Sequence, residues 1–156
     1  MKLYRISTSQ YVDDLTGTGS KMYGGRWNLK GTPLLYCSEN TSLAILEILV
    51  HFDGLTIPNN LELLQLELDQ SQIQNFSIAK FNRIRKSKDA EFRFKAAGQQ
   101  WIKNKSSLAL KVPSVININE FNILINPHHN NFKMLKKKKK GKLELDERLF
   151  KMKYDS

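Results

Sequence analysis

The sequence predicts an α+β fold with mainly antiparallel β-sheets and a few flanking helices. Three observations point there. Six short segments carry the apolar, partly alternating character of strands. Two segments carry helical character with start and stop signals. Their order, β-β-α-β-α-β-β-β, lacks the strict alternation of a parallel α/β sheet.

The first strand is the short apolar start Leu3–Ser7. Pro33–Ser38 (PLLYCS) is a compact run behind Gly31. A helix is predicted over about Ser42–Phe52, with Thr41 or Ser42 as N-cap and Asp53-Gly54 as the stop. Leu61–Leu68 alternates around a slip between Leu61, Leu63 and Leu66, Leu68. A second helix, mixed in character, covers roughly Asp89–Lys103 with Gly98 inside it. Leu108–Val115 contains Pro113, which marks an edge or a strand end. Phe121–Ile125 and Leu143–Phe150 complete the strands.

The chain has 156 residues, 40% of them hydrophobic and 10% aromatic. That is enough for one domain, 1–156, with a real core, and it argues against disorder. No apolar run approaches the roughly 18 residues of a membrane helix. Met1–Ile6 lacks the pattern of a signal peptide. A single cysteine, Cys37, excludes an internal disulfide framework and a multi-cysteine zinc site. A cytoplasmic domain is the expectation. The formal charge is +10. Residues 131–156 carry 10 basic against 4 acidic side chains, five of them in the run Lys136–Lys140. With Gly141 after it and no interleaved aromatics, 136–141 reads as a solvated basic loop. Lys80, Arg83, Arg85, Lys86 and Lys88 form a second basic cluster.

Five groups of residues look like chemistry. Gly17-Thr18-Gly19 and Gly24-Gly25-Arg26-Trp27-Asn28 permit close backbone approach. Arg26 then offers a planar five-donor fork for a phosphate or carboxylate; the other reading is a plain surface turn. No Walker lysine and no GxGxxG fingerprint accompanies them. Glu47 lies in a helix apolar on nearly every side, which predicts burial. A carboxylate there must be paired, hydrogen-bonded or opened into a pocket. Arg26 is its nearest cationic candidate by character. Tyr36 either packs in the core or offers a cleft a stacking face and a hydroxyl. Cys37 faces the opposite side of that strand and reads as a small hydrophobe. Ser114, directly after Pro113, suits positioning a ligand rather than covalent attack, because no G-x-S-x-G elbow surrounds it. Asn122 and Asn126-Pro127-His128-His129 read as turn chemistry; the adjacent histidines and His51 lack metal-ligand spacing.

Read together, these blocks resemble the RES domain. The residues that carry the likeness are Tyr4-Arg5-Ile6, Gly24-Gly25-Arg26-Trp27-Asn28, Leu35-Tyr36-x-Ser38, Leu43-Ala44 with Glu47 and His51, Val112-Pro113-Ser114, Asn122 and Ile125-Asn126-Pro127-His128. They span about 3–150 in the family's order. Gln99 departs from the acidic residue the family commonly has after its glycine. The resemblance implies a fold similar to ADP-ribosyltransferases. It implies a toxin of a bacterial toxin–antitoxin pair, with an Xre-type helix-turn-helix antitoxin as partner. NAD⁺ would be the substrate rather than a cofactor, cleaved at the nicotinamide–ribose bond, with no metal. The family's Arg falls on Arg26, its Tyr on Tyr36, its Glu on Glu47 and its Ser on Ser114. Gly24, Gly25, Arg26, Tyr36, Ser114 and Asn126 would contact the substrate. Transfer of ADP-ribose to a protein is the neighbouring alternative. A nucleic-acid-binding or RNase-type toxin using the lysine run is the alternative of another class, and direct nucleic-acid contact is not expected.

Overall fold

The computed structural model describes residues 1–52 and 57–151. The elements in chain order are β1 (Lys2–Thr8), α1 (Thr18–Tyr23), β2 (Leu35–Ser38), α2 (Thr41–His51), β3 (Leu61–Glu67), β4 (Ile73–Asn75), α3 (Ile78–Arg85), α4 (Ala90–Asn104), β5 (Ala109–Pro113), β6 (Phe121–Ile125), β7 (Lys136–Lys142) and α5 (Arg148–Lys151). The strands form a seven-stranded sheet in the order β4-β5-β6-β2-β1-β3-β7. Every neighbouring pair is antiparallel except β4 with β5, which is parallel. The α+β expectation therefore holds, as one mixed sheet. Among the described residues no helix is long and apolar enough to cross a membrane.

Alternation along the strands builds a core on each face of the sheet. Leu3, Cys37, Leu64, Leu66, Ile123 and Ile125 fill one side. Leu110, Val112 and Leu124 fill the other, under Trp27, Phe81, Ile84, Phe94 and Trp101. Trp27 packs edge-on against Phe76 at 5.0 Å and tilted against Phe94 at 4.9 Å. Edge and tilted contacts suit the ring quadrupoles. This aromatic layer fixes the loop that carries Arg26.

Gly98 explains how closely that loop is held. A Cβ at this position would lie 1.8 Å from the Trp27 carbonyl oxygen. Helix α4 thus rests directly on loop backbone, and only glycine permits it.

Several expectations are corrected. The basic stretch 136–141 is not a loop: it is most of strand β7, paired along β3. The predicted strand Leu143–Phe150 does not form; α5 lies there instead. Lysines carry no strand signal, but the free edge of β3 supplies backbone partners, and Asp13, Glu62 and Glu67 supply carboxylates. Helix α2 buries only Leu43 and Ala44 fully, while Leu46 and Val50 are exposed, so it is not wrapped by the core. Its cap is Asn40, whose side chain accepts from the Leu43 N–H at 2.8 Å, rather than Thr41 or Ser42. The expected stop at Asp53-Gly54 lies outside the described residues. Of the two readings of Pro113, the strand end holds: it is the last residue of β5, which is an interior strand, so its missing N–H falls where the ladder stops. Sequence reading missed α1, α3 and β4. The first is flanked by Gly17 and Gly24, both at φ 72°, and reads as a turn. α3 is short, basic and fully buries only Phe81 and Ile84.

Gly98→Ala is expected to destabilise the protein by at least ~3 kcal/mol, because backbone must move to admit the methyl group. Urea denaturation measures it; an unchanged midpoint would show that α4 does not press on Trp27.

Candidate functional site

Four segments converge on one carboxylate. Glu47 sits on the half-buried side of α2. Its Oε1 accepts from the Ser114 hydroxyl at 2.7 Å and from the Asn122 amide Nδ2. Asn122 is in turn fixed by Ser38, whose hydroxyl donates to Oδ1 at 2.8 Å. The hydroxyl of Ser114 also accepts from the backbone N–H groups of Ile116 (3.0 Å) and Asn117 (3.2 Å). α2, β2, β6 and the end of β5 are thereby tied together. Both donors meet on Oε1, and among the described residues none reaches Oε2.

Glu47 and Arg26 line the same open cavity, of about 840 Å³, together with Gly24, Gly25, Tyr36 and Asn122. His51, one turn beyond Glu47, and the Glu91–Lys95 pair (2.6 Å) lie on its wall. Such a volume falls in the range of ligand sites, roughly 300–1,000 Å³. Arg26 is exposed, with its guanidinium 5.9 Å from the Phe94 ring centroid. No carboxylate lies within ion-pair distance of it among the described residues. Stacking orients the fork while its donors remain free for an anion.

Tyr36 holds the glycine-rich loop. Its hydroxyl donates to Asn28 Oδ1 at 2.7 Å and accepts from the Trp27 N–H at 3.1 Å. Asn28 is fully buried, and its Nδ2 donates to the Ser20 carbonyl (2.9 Å) and the Thr32 carbonyl (2.8 Å). A Cβ on Gly25 would lie 2.5 Å from the Tyr36 hydroxyl oxygen. Gly24, at φ 72°, closes α1 and turns the chain into this clasp. Burial pushes the Tyr36 phenol above its ordinary range, so it stays a neutral donor.

The sequence-predicted residues do not all gather here. Ser114 is buried behind Glu47 with its hydroxyl fully engaged, so it reaches the cavity only through that carboxylate. Asn126 is buried at the far end of β6, about 13 Å from Asn122 at 3.3 Å per residue. There its Oδ1 accepts from the His128 N–H at 3.0 Å, and it does not line the cavity. The expectation that it contacts the substrate is corrected: Asn122, at the other end of the strand, is the asparagine that lines the cavity. The register signals it, since Asn122 pairs with Val112 and lies beside Ser38. His129 belongs to a turn, where its Nδ1 accepts from the Asn131 N–H at 3.1 Å. Cys37 is buried on the opposite face, and burial pushes its thiol up to about 12.

Residues 2–146 match the sequence profile of the RES domain. The chain is 38% identical over 133 residues to Toxin Res of Yersinia enterocolitica, covering 85% of this chain and 88% of that one. It is 34% identical over 152 residues to the Prs ADP-ribosylating toxin of a Sphingobium species, covering 94% of each. Toxin Res of Photorhabdus laumondii is 34% identical over 155 residues, covering 98% and 99%. The crystal structure of the MbcT–MbcA toxin–antitoxin complex of M. tuberculosis contains a chain of similar fold. It has a TM-score of 0.74 and 14% identity, covering 97% of this chain and 87% of that chain.

Tyr36→Phe is expected to destabilise the fold by about 1–3 kcal/mol, because it strands the buried Asn28 oxygen; chemical denaturation measures this. The native Cys37 thiol is expected to resist a thiol-specific disulfide reagent at pH 8, where almost none of it is thiolate, and to react on unfolding. Rapid labelling of native protein would contradict its placement.

Proposed function

Since this chain belongs to the RES domain family, we propose that it is the toxin of a bacterial toxin–antitoxin pair and that it cleaves NAD⁺ at the nicotinamide–ribose bond. The observation that carries this reading is the half-clamped carboxylate of Glu47, set in one cavity with the unpaired fork of Arg26.

Breaking that glycosidic bond builds an oxocarbenium-like cation at the anomeric carbon. The electron pair leaves with nicotinamide, which becomes neutral and needs little acid assistance. An acceptor oxygen then bonds to the anomeric carbon, and its proton passes to solvent. Glu47 supplies the negative charge. With Oε1 held by Ser114 and Asn122, Oε2 is the oxygen available to the ribose hydroxyls and the developing cation. Held in place beforehand, it need not reorganise during the reaction. Arg26 binds the diphosphate bidentately. Gly24 and Gly25 let the backbone approach it. Tyr36 presents its ring to the nicotinamide side, while its hydroxyl keeps the loop in shape. Ser114 acts through Glu47 as a positioning residue.

Transfer of ADP-ribose to a protein is the second reading, and the relative named for ADP-ribosylation of Prs favours it. An Xre-type antitoxin remains the proposed partner, and the neighbour of known structure, itself in a toxin–antitoxin complex, supports an antitoxin. The RNase-type reading finds no support at this cavity, where His51 is the one histidine among the lining residues.

Purified protein incubated with NAD⁺ should release nicotinamide. Glu47→Gln should lower the rate by about 10²–10³. Ser114→Ala should lower it by roughly tenfold to a hundredfold, as for one hydrogen bond to a charged group. Product masses distinguish ADP-ribose, ADP-ribose-1″-phosphate and a modified protein. Absence of nicotinamide release in water, phosphate and cell lysate alike would overturn the proposal.

A further inference from the structure

Strand β7 takes no part in the cavity. It is the outermost strand, separated from β2 by β1 and β3, so it runs about 14 Å across the sheet from the Tyr36 strand at ~4.8 Å per step. All seven of its residues are exposed, and six are lysine. As a loop, this run would be a mobile cloud of charge. As a strand of seven residues at ~3.3 Å each, it is a fixed edge about 23 Å long. Lys136 and Lys139 lie on the face of Glu67 and Gln65, and Lys137, Lys140 and Lys142 on the face of Leu66, Leu64 and Glu62.

Neighbouring carboxylates neutralise only half of these lysines. Asp13 takes Lys137 and Lys140, and Glu67 takes Lys138 at 3.5 Å. Lys136, Lys139 and Lys142 have no carboxylate within 4.0 Å among the described residues. No aromatic side chain interleaves with them, so nothing offers a stacking platform for bases. The chemistry such an edge recognises is a line of phosphates read without regard to sequence.

We propose that the edge of β7 docks the phosphate backbone of duplex nucleic acid at a place distinct from the cavity, with Lys136 and Lys139 reaching phosphates from one face of that edge and Lys142 from the other. One strand of duplex DNA presents a phosphate every ~3.4 Å of helix axis, so an edge of about 23 Å lies along about seven of them. Each lysine that neutralises one releases a counterion, which makes binding salt-dependent with a slope near −0.9 per contact. The competing account is that lysines on an edge strand only repel further strands, a second copy of this one included. That account predicts no localised slope.

The test measures affinity for a 20-base-pair duplex DNA from 50 to 200 mM salt. Full-length protein is compared with the triple variant Lys136→Gln, Lys139→Gln, Lys142→Gln. The control is Arg83→Gln, Lys86→Gln, Lys88→Gln, which removes the same charge around the end of α3. The proposal expects the β7 triple to flatten the log–log slope by about 3 and the control by less than 1. Equal flattening by both triples, or no salt-dependent binding at all, would overturn it. So would a poly-glutamate peptide that binds where the duplex does not. Release of nicotinamide from NAD⁺ should be unchanged in both triples, so this test and the cavity proposal fail independently.

Discussion

The hydrogen bonds that converge on Glu47 Oε1 are the constraint on which the rest of this structure depends. A carboxylate on a half-exposed helix would ordinarily turn to water. Here Ser114 and Asn122 hold one oxygen, and each is held in turn: Ser114 by two backbone N–H groups, Asn122 by Ser38. Helix α2, the ends of β5 and β2 and the start of β6 therefore share one polar junction. Its partial burial strengthens these bonds relative to water. The second oxygen, which takes neither of these bonds, is thereby left with a defined direction.

A second constraint acts on the opposite wall through close backbone approach. Gly98 lets α4 rest on the Trp27 carbonyl, and Gly25 lets the loop pass the Tyr36 hydroxyl. Asn28 ties the same loop to the Ser20 and Thr32 carbonyls. Arg26 lies between these fixed points, so an exposed arginine is given a fixed base with Phe94 beneath it. Rigidity of the loop and freedom of the guanidinium donors thus have one origin.

Charge is segregated by the sheet. The cavity wall holds Arg26 unpaired and Lys95 paired to Glu91, while the largest cationic excess lies on β7 at the far edge. Lysine is poorly suited to strands as a residue type, yet β7 forms because the β3 edge offers a ladder of backbone partners, interrupted by one register shift opposite Gln65 and Leu66. That edge is contributed by a segment some 70 residues earlier in the chain. Local pattern reading places a loop there because the partner is not local.

The sequence by itself determined the strand set β1, β2, β3, β5 and β6 and the two longer helices, and it singled out Arg26, Tyr36, Glu47 and Ser114 as candidates. Apolar alternation, capping residues and glycine spacing are short-range signals and can be read along the chain. It offered backbone approach at Gly24 and Gly25 beside a plain surface turn, and the contact of Gly25 with the Tyr36 hydroxyl chose between them. Only the tertiary structure decided what those residues touch. It sent Asn126 to the far end of β6 and brought Asn122 to the carboxylate. It placed Ser114 behind Glu47 and turned a lysine run into an edge strand. These outcomes depend on register and on contacts between distant segments. A one-residue step in register exchanges the two faces of a strand, and no local pattern records which partner edge will be free.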